Sequence, residues 1–235
     1  MAQPTYASVH QHLLDLTTKT PEQAARFFKT GPGEYSAHDR FLGTTVPTLR
    51  QLARVYEALP EPICLQLLHS PFNEERLLAL FLLVNRYQKA DTQNSKEHYY
   101  QYYLEHRAHI NNWNLVDSSA HWVVGAHLWA RKKDLLLTLA TSSDLWERRI
   151  AIVATWYFIK QDRHDWTLKL AKRLLEDPED LMHKATGWML REVGKKNVET
   201  LHLFLDRYAA KMPRTMLRYA IERLPEKQRQ AYLRA

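Results

Sequence analysis

The segment Asn111-Asn112-Trp113-Asn114-Leu115-Val116-Asp117-Ser118 places an indole and a carboxylate four residues apart at the head of an apolar helical run. That spacing puts both side chains on one helix face. The packing stripe expected of the same helix, Leu115, Ser119, Trp122 and Ala126, lies roughly opposite Asp117, so the acid and the indole are presented to something. A carboxylate can stabilise a neighbouring positive charge or deprotonate a water, and an indole face attracts cations. Two structural readings compete with this chemistry. Asp117 would also complement a helix dipole in the first turn, and Trp113 would also fill a core.

The elements that position these residues are helices. Only six glycines occur, strand-like alternation is scarce, and Leu, Ala, Arg, Glu and Gln dominate the long periodic stretches. Thr20-Pro21-Glu22-Gln23 carries a capping hydroxyl, a proline for the first turn and a glutamine to close a capping box. Asp177-Pro178-Glu179-Asp180 repeats that grammar, and Pro47, Ser70-Pro71 and Pro213 add further punctuation. Lys89 to Ser95 reads as an inter-helix loop, and no long linker interrupts the chain, so residues 1–235 are expected to form a single domain.

The 33 Lys and Arg against 26 Asp and Glu give a formal charge of +7, which favours a polyanionic partner without choosing among DNA, RNA and acidic lipid. Cys64 is the only cysteine, so an intramolecular disulfide and a multi-thiolate zinc site are both excluded. Twelve histidines invite a metal reading, but His10 and His12 alternate near the terminus, His106 and His109 have no evident third ligand, and no HExxH occurs. The neighbours of Cys64 read as core, which argues against a nucleophilic thiol. The N-terminal residues lack a signal-peptide core, and the longest apolar run, Leu77 to Val84, has eight residues where a membrane span needs about 20. A soluble cytoplasmic protein is expected.

Glu75-Arg76-Leu77-Leu78-Ala79, Arg148-Arg149-Ile150-Ala151-Ile152 and His183-Lys184-Ala185-Thr186-Gly187 each set a basic residue ahead of small and apolar residues opening a helix, and Asp117 occupies the analogous place between them. A repeat of about 30 to 45 residues built from helix pairs is the signature of a HEAT-like solenoid. The expected fold is therefore all-α, a solenoid of HEAT-like antiparallel helix pairs with a concave basic groove. Arg76, Asp117, Arg149, Lys184 and Arg214 or Arg218 would occupy one edge of it, unless the basic residues merely solvate helix starts.

Four segments carry a family resemblance. They are Phe41-Leu42-Gly43-Thr44-Thr45-Val46-Pro47-Thr48-Leu49-Arg50, Asn112 to Asp117, Trp146-Glu147-Arg148-Arg149-Ile150-Ala151-Ile152, and Lys184-Ala185-Thr186-Gly187-Trp188-Met189-Leu190-Arg191-Glu192. In this order they resemble the FLG-x-x-x-P-x-x-R, W-x-x-x-D, W-x-x-R and K-A-x-G-W-x-L-R-E elements of the AlkD-type DNA alkylation repair glycosylases. The resemblance implies a monomeric, cofactor-independent and metal-independent enzyme acting on double-stranded DNA that contains alkylated purines. It would hydrolyse the N-glycosidic bond of cationic N3- or N7-alkylated purines and leave an abasic site, with the lesion still stacked. Carried over by position, Asp117 would be the catalytic carboxylate and Trp113 and Trp188 would flank the deoxyribose. Arg149, Arg148, Lys184, Arg191, Arg50 and Thr45 would be the DNA contacts. The sequence departs from the family pattern at Asn114, where a second acid is usual, and at Val46, where a polar residue usually precedes the proline.

One carboxylate suffices for such a reaction. Alkylation makes the purine a cationic leaving group that needs no acid, and charge moves to the sugar as an oxocarbenium-like species as the bond stretches. Asp117 would stabilise that charge, and each flanking indole would add about 0.5–2 kcal/mol of cation–π attraction. The alternative is a HEAT-like scaffold that binds DNA or protein without chemistry, although a pure phosphate binder gains nothing from an acid in its groove.

Overall fold

The computed structural model describes residues 3–234. The chain clusters into two compact units, Met1–Ser119 and Ala120–Ala235. Among the described residues there is no strand, only an isolated parallel bridge between Arg40 and Phe72.

The first unit contains α1 (Tyr6–Asp15), α2 (Pro21–Ala25), α3 (Val46–Val55), α4 (Glu61–Leu68), α5 (Asn73–Lys89), α6 (Gln93–Glu105) and the start of α7 (Trp113–Ala120). Its centre is α5, against which α3, α4 and α6 pack. The uninterrupted run Leu77 to Val84 leaves α5 no polar face over two turns, and all eight of its residues are buried. At the N-terminal end the capping box at α2 forms as its sequence requires. Thr20 Oγ1 accepts from Gln23 N at 3.3 Å, and Gln23 Oε1 accepts from Thr20 N at 3.0 Å.

The second unit opens with a π-helical turn, His121–Gly125, which runs into α8 (Ala126–Leu128). There follow α9 (Asp134–Leu139), α10 (Leu145–Ala154), α11 (Trp156–Lys160), α12 (Asp165–Arg173), α13 (Asp180–Lys196), α14 (Val198–Tyr208), α15 (Arg214–Ile221) and α16 (Glu226–Arg234). Three helix pairs open at Asp134, Asp165 and Val198, a spacing within the range of helical repeats. The protein is all-α and built of helical repeats. One contact recurs from pair to pair. A Cβ at Gly125 would lie 2.1 Å from the Ala154 carbonyl oxygen and 2.8 Å from Tyr157 Cβ, and one at Gly187 would lie 2.4 Å from the Met216 oxygen and 2.6 Å from Tyr219 Cβ. Each glycine therefore lets its helix touch the backbone of the next repeat, which explains the costly mid-helix residue at 187.

Two expectations change. The stripe Leu115, Ser119, Trp122, Ala126 breaks after Ser119, because the π turn re-phases the helix; beyond it His121, Val123, Val124 and Gly125 are buried while Trp122 and Ala126 are half-buried. At Asp177-Pro178 no helix starts. Asp177 Oδ1 accepts from Glu179 N at 3.0 Å in a turn, and α13 begins at Asp180.

Candidate active site

Trp113 and Asp117, one turn apart on α7, line a single hollow of about 450 Å³ that lies wholly within the first unit. Its other walls come from the Phe41 to Thr45 loop, the first turn of α3, Asn73, Glu74 and Leu77 of α5, and Phe27 and Phe28 beyond α2. The lining is largely apolar and aromatic. Phe28 stacks on Phe41 with centroids 4.9 Å apart and on Trp113 at 5.2 Å, so one face of the Trp113 indole is covered by a second ring. Phe27 points outward, 65% exposed, with the Lys19 ammonium 5.3 Å above its ring. Thr45 lines the same hollow, and its hydroxyl pairs with that of Thr48 at 2.9 Å.

The loop holds its shape through Gly43 and Glu74. Gly43 has φ +98, and a Cβ there would meet the Lys19 carbonyl oxygen at 2.0 Å. Only glycine fits this left-handed, crowded position. Buried Glu74 then clamps the loop, its carboxylate accepting from Leu42 N at 3.0 Å and Gly43 N at 2.9 Å. Burial pushes the Glu74 carboxyl above the usual carboxylate range, a shift that the two amide donors oppose.

A buried polar network fixes the base of α7. Asn112 Oδ1 accepts from Trp113 N at 2.7 Å, and Asn112 Nδ2 donates to Ser36 Oγ at 2.9 Å and Asp39 Oδ2 at 2.5 Å. Asp39 in turn pairs with Arg76, whose guanidinium also donates to the Ser70 carbonyl at 2.8 Å. Asn114, where the family pattern has an acid, exchanges amide hydrogen bonds with Asn73 at 2.7 and 3.4 Å. The residue that departs from the pattern is thus spent on docking α7 against α5.

These features can be set beside known proteins. The family described as DNA alkylation repair enzyme matches residues 10–224. The chain belongs to that family. Among solved structures it is similar to a predicted DNA alkylation repair enzyme from Enterococcus faecalis, with 18% identity, a TM-score of 0.66 and coverage of 89% of this chain and 98% of that one. At that identity the likeness concerns the fold. No curated protein matches the sequence. Family membership makes the protein a DNA alkylation repair enzyme whose substrate is DNA.

In this repair enzyme the residues singled out from sequence fall into two groups. Trp113, Asp117 and Thr45 come together in the first unit, whereas exposed Arg50 of α3 does not line the hollow and holds its guanidinium 4.3 Å over the Phe81 ring. Trp188, Lys184, Arg191, Arg148 and Arg149 belong to the second unit. There Trp188 packs edge-on against Trp156 at 4.9 Å and donates its indole N–H to Glu192 at 3.1 Å. Lys184 pairs with Asp180 at 2.7 Å and Arg191 with Glu222. Arg148 donates to Asp177 at 2.7 Å, and buried Arg149 donates to the Leu181 carbonyl at 2.6 Å.

Arg76 corrects an expectation: it is no groove-edge cation but the buried counter-charge of Asp39, at 4% and 0% side-chain exposure respectively. His106 and His109 do meet a third histidine, His69, at ring distances of 5.2 and 3.8 Å, yet no group of three or more metal-binding side chains among the described residues could hold an ion. No helix among them is long and apolar enough to cross a membrane.

Phe28, Glu74 and Asp39 are the residues that sequence reasoning missed. The neighbouring Phe27 and Phe28 after a short capped helix were the one local signal, because adjacent aromatics cannot both be buried on the same face.

Proposed function

We propose that this repair enzyme is a monofunctional DNA glycosylase that hydrolyses the N-glycosidic bond of cationic N3- or N7-alkylated purines in duplex DNA. The observation that carries the reading is the placement of the Asp117 carboxylate and the Trp113 indole in one largely apolar hollow. In such surroundings a carboxylate acts strongly on a charge forming beside it, since little water screens the pair. The alkylated base departs as a neutral purine, taking the bonding electrons. Asp117 steadies the oxocarbenium-like sugar left behind and orients or deprotonates the water that adds to C1′.

Trp113, backed by Phe28, offers its ring to that sugar. Thr45, on the wall of the hollow, and Arg50 on α3 are read as phosphate contacts. Lys184 and Arg191 can exchange exposed carboxylate partners for phosphate at small cost, since such surface pairs contribute only about 0–1 kcal/mol. Arg148 and Arg149, expected as DNA contacts, are instead engaged by Asp177 and the Leu181 carbonyl, and in this reading they hold the start of α13 rather than phosphate.

The test is chromatography of bases released from methylated duplex DNA. Asp117→Asn is expected to lower release of 7-methylguanine by roughly 100-fold or more, as removal of one preorganised electrostatic group does, while duplex binding changes by less than a few-fold. Release at the wild-type rate by that variant would overturn the assignment. Salt-dependent DNA binding with no base release by the wild-type protein would replace it with a non-catalytic scaffold.

A further inference from the structure

Away from these residues, two neighbouring hollows of about 400 and 480 Å³ lie along α12 and α14 of the second unit. They share Lys169, Lys172 and Tyr208 and so form one furrow. The α14 side is a helical stripe, Thr200, Leu203, Phe204, Arg207 and Tyr208, at the spacing that keeps residues on one face, with Lys211 in the 3-10 turn that follows. Its floor is apolar. Leu203 is 63% exposed, and the Phe204 and Tyr208 rings touch at 4.8 Å beneath it.

The rim is basic. Lys169, Lys172, Arg173, Arg207 and Lys211 are all exposed, and none forms an ion pair among the described residues. Lys169 and Lys172 rest instead over the Trp166 and Tyr208 rings, at 4.4 and 6.0 Å. Only two acids line the furrow, Asp165 and Glu176, and Asp165 already faces Arg163 at 3.5 Å. Five cations against two acids leave a local positive excess above an uncovered leucine.

We propose that this furrow seats an acidic amphipathic helix of a partner protein. The proposal is independent of the glycosylase reading. Duplex DNA would satisfy the cations, but its charged, hydrated backbone offers only small deoxyribose edges where Leu203, Phe204 and Tyr208 present a continuous apolar floor. A helix with Asp and Glu flanking a leucine stripe satisfies both at once, in the helix-in-groove manner, with Arg207 and Tyr208 of the types that anchor interfaces.

The probe is a fluorescein-labelled peptide of about 18 residues, long enough to hold a helix on docking, with leucines at i, i+3 and i+7 and glutamates between them. A comparator of equal charge has serine in place of leucine. Fluorescence anisotropy with the full chain is expected to give saturable binding with Kd on the order of 10 μM, weakened at least tenfold by Leu203→Ser and by Arg207→Glu. Both substitutions are at exposed positions, and unchanged far-UV circular dichroism would confirm that the variants fold. Three results would overturn the proposal: no saturable binding by 1 mM peptide, equal binding of the serine comparator, or a fall in duplex-DNA affinity in Arg207→Glu as large as the fall for the peptide. The last would assign the furrow to nucleic acid.

Discussion

Asp39→Ala removes the single acceptor on which the base of α7 converges. The carboxylate receives Asn112 Nδ2 at 2.5 Å, Ser36 Oγ at 2.5 Å and the Arg76 guanidinium, all at a side chain with no solvent exposure. Arg76 is 4% exposed, so it would be left as a buried charge with only the Ser70 carbonyl to receive it. Removing one partner of a buried pair costs about 3–5 kcal/mol, chiefly because the other charge is left uncompensated. Asn112 keeps Ser36 as an acceptor, so the amide adds little, and a loss of about 4 kcal/mol is expected. Urea unfolding reads this directly: with a slope of about 2 kcal/mol/M the midpoint falls by roughly 2 M. Replacing both charges, Asp39→Leu with Arg76→Met, should recover most of that loss, because well-packed apolar residues need no counter-charge. A midpoint for Asp39→Ala within about 0.5 M of wild type, or a double variant as weak as the single one, would show that this network does not hold the α7 base.

The other predictions concern the loop clamp and the repeat contact. Because burial raises the folded-state value of Glu74 above its ordinary 4.5, the native protein holds that proton longer than the unfolded chain, and stability is lost as pH rises from 4.5 through the raised value. Glu74→Gln lacks this penalty, so its melting temperature relative to wild type should climb between pH 4 and pH 7; a flat difference across that window would mean that Glu74 ionises freely. Gly187→Ala should destabilise despite the roughly 1 kcal/mol gained in helix propensity. A Cβ 2.4 Å from the Met216 carbonyl oxygen forces α13 and α15 apart, at the cost of about 1–3 kcal/mol typical of overpacking. A raised melting temperature for this variant would show that the two helices separate freely.

The parts of the structure legible in the sequence are those decided within a few residues. The Thr20 capping box, the burial of Leu77 to Val84 and the close approach at Gly187 depend on residues three or four apart, or on a residue type with one physical use at its position. So does the shared face of Trp113 and Asp117, since one helical turn suffices to define it. Arg76 shows where that logic stops. Its neighbours Glu74, Glu75 and Leu77 fit a solvated helix start equally well, and what buries it is Asp39, which no periodicity relates to it. The same holds for Phe28, whose meaning depends on Trp113 arriving from another helix, and for the π turn at His121, whose residues would fill an α-helix with the same ease. An acid in a basic sequence therefore carries two meanings that spacing cannot separate. Asp39 and Asp117 are each followed by a polar residue, Arg40 and Ser118, yet one is fully enclosed by donors and the other opens on an apolar hollow. The surroundings that make Asp39 a structural counter-charge leave it nothing to offer a substrate, and the half-open setting of Asp117 is what the charge-stabilising role proposed for it requires.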